Sequence, residues 1–88
     1  MAVLVKISNP GISLGTYDQI AARLVPEMKK RAGFQVHYVF PQGAGFVVHE
    51  IWDKRDQQED WFESVRPNLP ADAKPQIEVV ELHNLAVR

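Results

Sequence analysis

Six segments in the order strand, helix, strand, strand, helix, strand predict an α+β domain of the ferredoxin-like type. Two of them repeat apolar residues at three- and four-residue steps. The other four are rich in β-branched residues or alternate in polarity, and glycine and proline punctuate the boundaries. The chain has 88 residues, which is one domain spanning 1–88. Right-handed crossovers then give a four-stranded antiparallel sheet in the order 4-1-3-2, with both helices on one face.

Residues 2–8 (AVLVKIS) read as a strand that is apolar on both faces, closed by Asn9-Pro10-Gly11. Thr16 is placed to cap a helix in which Tyr17, Ile20, Ala21, Leu24 and Met28 form an apolar stripe. Pro26 lies inside that stripe and predicts a kink or a split. Lys29, Lys30 and Arg31 suit the end of the helix dipole, and Gly33 is a stop. Phe34–Phe40 and Phe46–Trp52 read as two strands of a hairpin, with residues 41–45 (PQGAG) as its turn. Asp53 can cap the second helix, whose inward residues are Gln58, Trp61, Phe62 and Val65. Pro67 and Pro70 end that helix. Gln76–Leu82 alternates as the last strand.

Composition excludes several classes. Hydrophobic residues are 45% and charged residues 24%, with a formal net charge of -1, so the chain is neither disordered nor basic enough for a nucleic-acid binder. RNA-recognition domains share this element order. Here residues 42–46 (QGAGF) keep the glycines but lack the basic residue and the first aromatic, and Val3–Ile7 offers no stacking side chain. There are no cysteines, so disulfides and thiol chemistry are out. The start is too quickly polar for a signal peptide, and no run approaches a membrane span. The expected location is the cytoplasm, with no membrane and no nucleic-acid partner.

A sheet with both helices on one face leaves its other face uncovered. Apolar residues there predict a homodimer in which two sheets pack together. A chain this short would also struggle to enclose a ligand alone.

The residues able to do chemistry are few. Histidine titrates near neutrality unaided. Pairing Phe40 with Phe46 sets His37 opposite His49, on one face with Gln35, Val39, Val47 and Ile51. His83 ends the last strand and could approach His37 across a dimer interface. A proton-transfer site with His37 as base follows, as does the plainer reading of half-buried, hydrogen-bonded histidines. No ligand spacing demands a metal. Glu50 shares a strand face with Phe46, Val48 and Trp52. It is an acid or base there, or else it is paired with Arg23, Arg31 or Arg66. Tyr38, Trp52, Trp61 and their neighbours could line a pocket for a small aromatic ligand, or simply fill the core. Arg66 could hold an anionic group, or pair with Glu59 or Glu63.

Residues 33–37 (GFQVH), 45–53 (GFVVHEIWD), Trp61-Phe62, Arg66-Pro67 and 82–85 (LHNL) together resemble the dimeric α/β-barrel superfamily. Within it they are most similar to small bacterial proteins near the antibiotic-biosynthesis monooxygenases. The resemblance spans almost the whole chain. It implies a homodimer acting without a bound cofactor on a phenolic, quinol or polyketide-like substrate, with molecular oxygen. On that reading His37 would take the proton, Trp61 and Tyr38 would hold the ring, and Glu50 or Arg66 would orient it, so the candidate catalytic residues are His37, Glu50 and His83 and the candidate substrate contacts are Tyr38, His49, Trp52, Trp61 and Arg66. The haem-degrading branch has a histidine in or just after its second helix and an asparagine on its first strand. Here the helix has no histidine, and Asn9 lies past the strand. A non-catalytic ligand-binding or assembly module is the alternative.

Overall fold

A computed structural model describes residues 1–71 and 73–88. Its elements are β1 (Val3–Ser8), α1 (Leu14–Met28), β2 (Phe34–Gln42), β3 (Gly45–Trp52), α2 (Arg55–Val65) and β4 (Gln76–Glu81), with a 3-10 turn at Arg66–Asn68. The strands are antiparallel in the order β2-β3-β1-β4, which is the predicted 4-1-3-2 read from the other edge. Val3, Val5 and Ile7 of β1 and Phe46, Val48 and Trp52 of β3 point to the helices, because alternate strand residues share a face. They meet Trp61, Phe62 and Val65 of α2 and Met28 of α1 in one core.

The helix starts differ from expectation. Ser13, not Thr16, caps α1: its hydroxyl accepts the Thr16 backbone N–H at 3.1 Å. Pro26 neither splits nor ends α1, because it sits in the last turn and few hydrogen bonds lie beyond it. The cap position of α2 is Lys54, and the Gln57 side-chain oxygen accepts its backbone N–H at 3.1 Å. Asp53 is engaged elsewhere, accepting Gln35 Nε2 at 2.6 Å. The four inward residues expected of α2 are all buried. The amide nitrogen of Gln58 has no hydrogen-bond partner among the described residues, and nothing in the structure explains it.

The hairpin departs most. β2 runs on to Gln42, which pairs with Gly45, so the turn is only Gly43-Ala44. Gly43 takes a positive φ of 59°, which a tight turn requires. Pro41 is tolerated because β2 is an edge strand. Phe40 therefore pairs with Val47, and His37 stands opposite Glu50 rather than His49. The expected register survives only at Phe34 and Trp52. Between Phe34 and Val36 it shifts, and Gln35 is the extra residue of a bulge.

Gly33 joins these parts. Its carbonyl accepts the Asp53 N–H at 2.8 Å, tying the start of β2 to the end of β3. Its φ is +86°, and a Cβ there would overlap the Gln57 side chain that caps α2. Gly33→Ala is expected to cost roughly 1–3 kcal/mol, from backbone strain plus a broken cap. Urea unfolding checks this, and an unchanged midpoint would refute it.

Candidate functional site

The site grows from the parity of β3. Glu50 and Trp52 are two residues apart, so both face the helices. Glu50 is only 4% exposed, and an unpaired carboxylate there would be costly. Two donors meet it instead. The Trp52 indole N–H reaches Oε1 at 3.1 Å, and His37 Nδ1 lies 3.1 Å from Oε2. The Trp52 ring is fully buried and braced edge-on by Phe34, with centroids 5.4 Å apart. The carboxylate is thus held from behind by a group that can only donate.

That arrangement assigns the imidazole tautomer. A carboxylate accepts, so Nδ1 carries the proton and Nε2 keeps a lone pair. The Tyr17 hydroxyl lies 2.5 Å from Nε2 and donates to it. The two rings are nearly parallel, at 7°, with centroids 6.3 Å apart. This is the separation of rings joined end to end by a hydrogen bond, not face on face. Phe46 packs on Tyr17 at 5.2 Å. Burial pushes the Tyr17 phenol up to about 12, with the charges of Glu50 and Asp18 adding to it. At neutral pH Tyr17 is a donor.

Tyr17, His37 and Glu50 line one end of a cavity of about 90 Å³ beneath α1, with Trp52 buried behind Glu50. Its polar lining residues are Asn9, Tyr17, His37 and Glu50. The rest is aliphatic and aromatic, including Ile12, Leu24, Val48, Trp61 and Phe62. The α1 stripe is half-buried except at Met28, so the helix stands over this space rather than filling it.

The expected site residues divide among four places. His37, Glu50, Trp52 and Trp61 meet on the helix side. The arginine pairing expected for Glu50 is replaced by His37 and Trp52. Tyr38 and His49 lie on the open face, where His49 Nδ1 and the Tyr38 hydroxyl are 2.9 Å apart. The two-residue turn sets His37 opposite Glu50 on the helix side, so the expected His37–His49 pair is lost. Among the described residues no group of three metal-ligating side chains occurs. Arg66 is exposed, pairs with Glu63 at 3.0 Å and covers the Phe62 ring. His83 is exposed beyond β4, at the opposite sheet edge from β2. A pairing of His83 with His37 through the open faces would need His37 on that face, and it is on the other. Tyr17 was missed, because a tyrosine in a helical apolar stripe reads as core. Nothing in the sequence separates it from the rest of that stripe, because only the packing of α1 over the sheet brings its hydroxyl to His37.

No protein-family model matches the chain, and no curated protein matches it. Solved structures do. SnoaB, a cofactor-independent oxygenase from Streptomyces nogalater, has a TM-score of 0.68 at 13% identity, over 96% of this chain and 93% of that one. A candidate monooxygenase from Shewanella loihica has a TM-score of 0.69 at 10% identity, over 96% of each chain. A de novo designed protein has a TM-score of 0.66 at 13% identity, over 94% of this chain and all of that one. At such identities the likeness is one of fold, and it is the ferredoxin-like fold read from the sequence.

The raised phenol sets a pH dependence. The fold favours the neutral form of Tyr17, so its contribution to stability is whole below the ordinary value of 10.0 and is lost as pH rises through about 12. The near-ultraviolet tyrosinate titration of the protein, minus that of Tyr17→Phe, is expected to show a midpoint near 12. A midpoint near 10 would contradict the buried hydrogen-bonded phenol.

Proposed function

We propose that the chain is a small-molecule enzyme of the cofactor-independent monooxygenase kind, acting on a phenolic, quinol or polyketide-like substrate. One observation carries this reading: the lone pair of His37 Nε2 stands at the wall of an apolar cavity while a buried carboxylate holds the other ring nitrogen. The likeness in fold to SnoaB supports it.

In this reading His37 takes the proton of a substrate hydroxyl. Glu50 keeps the ring oriented and stabilises the imidazolium that forms, as a carboxylate behind a catalytic histidine does. Trp61 and Phe62 hold the ring of the substrate. The resulting phenolate is electron-rich enough to reduce molecular oxygen. One oxygen atom is added at a ring carbon and the other leaves as water, so phenol plus O2 gives quinone plus water. The organic molecule loses the four electrons that O2 gains, and no other reductant is required. His37 returns its proton to the departing oxygen.

The proposed assembly is a homodimer. The open face carries Leu4, Val36, Phe40, Val47, Ile51 and Val80, with Phe40 and Val80 both more than a third exposed. A second copy laid face to face would cover this patch. A non-catalytic binding module is the second reading. It is favoured by Tyr17, which already occupies Nε2.

Oxygen uptake over a panel of phenols and quinols tests the chemistry. His37→Ala is expected to lower turnover by roughly a hundredfold or more, and Glu50→Gln to lower it while the protein stays folded. Undiminished turnover in His37→Ala removes His37 as the base, and no uptake with any substrate leaves the binding module. Native mass spectrometry tests the assembly: a species of twice the chain mass is expected, reverting to one chain in Ile51→Lys. A monomeric parent protein overturns the dimer.

A further inference from the structure

We propose that Tyr17 is a specificity-determining plug: its phenol holds His37 Nε2 as a substrate hydroxyl would, and substrate binds by displacing it. This rests on the reading of His37 as the base. The argument begins with one lone pair. Nδ1 is committed to Glu50, so Nε2 has a single acceptor site, and Tyr17 fills it. The Tyr17 O–H and a substrate O–H are therefore mutually exclusive.

Volume gives the second argument. The cavity holds about 90 Å³ with Tyr17 in place. A cavity of ~150 Å³ is the kind that accepts benzene. A six-membered ring enclosed entirely there needs more room than is free, and the Tyr17 ring beside His37 is the nearest removable volume. Tyr17 is also the side chain best placed to leave. It sits in the first turn of α1 and is half-buried, so a rotation about its own side-chain bonds can carry it outward without moving the sheet.

The exchange selects a chemical class. The occupant is itself a phenol in an otherwise apolar wall, so the place it vacates fits a single hydroxylated aromatic ring. The ligand class is a monocyclic phenol, whose hydroxyl would take the place of the Tyr17 hydroxyl at Nε2.

Titration calorimetry with phenol and with toluene, which has the ring and no hydroxyl, tests this. In Tyr17→Phe no hydrogen bond has to be broken to clear the site, and phenol is expected to bind about tenfold more tightly than to the parent protein, with toluene, which displaces the same side chain, gaining as well. Tyr17→Leu, which also removes the ring, is expected to admit 1-naphthol where the parent protein does not. The preference for phenol over toluene should vanish in His37→Ala. If that preference survives in His37→Ala, the reading of His37 itself fails. If it vanishes there, yet Tyr17→Phe binds phenol equally, more weakly or not at all, the plug alone is overturned.

Discussion

The pairing register of β2 with β3 is the constraint on which the site depends. A two-residue turn at Gly43-Ala44 sets Gln42 against Gly45, and every pair up to Val36 and Ile51 follows from it. Continued unbroken, that register would carry Phe34 past Trp52 and onto the open face. The bulge at Gln35 absorbs one residue. Phe34 then returns to the helix side and braces Trp52, while His37 still faces Glu50. Gln35, bonded to Asp53, and Gly33, bonded to the Asp53 N–H, hold the bulge in place. One local irregularity thus serves both the core and the polar chain.

Much of this was legible in the sequence, and the missing part has a definite cause. Helical spacing picked all four buried residues of α2, because periodicity reports which face meets the core. Strand parity put Glu50 with Phe46, Val48 and Trp52, because it depends on one strand alone. Placing His37 needed two strands and the turn between them. Residues 41–45 permit a five-residue loop or a two-residue one, and the choice reverses the face of every β2 side chain after the bulge. Tyr17 depended on a longer-range fact still. Only the packing of α1 over the sheet brings its hydroxyl to His37.

The fold itself says little about activity. A designed protein, a cofactor-independent oxygenase and a candidate monooxygenase all share it with this chain at 13% identity or less. What differs from a purely structural domain is local. Three polar side chains on three elements, α1, β2 and β3, converge in a region that elsewhere is apolar. Each is oriented by the next, beginning from the fully buried indole of Trp52.

That convergence opposes stability twice in one place. Filling the space under α1 with larger side chains would bury more apolar surface, and leaving it open forgoes those contacts. Glu50 adds a second cost, because a carboxylate taken from water must recover its lost hydration through its partners. An apolar residue at position 50 would avoid that cost, and Trp52 would then lose its acceptor. In a domain of 88 residues, where net stability is a few kcal/mol, two such costs are large. They fall on the same few residues, and those residues end in the one histidine lone pair that borders the cavity. The Trp52 indole gives the carboxylate a structural use, whereas the proposed proton transfer to a bound ring would use the carboxylate and the cavity together.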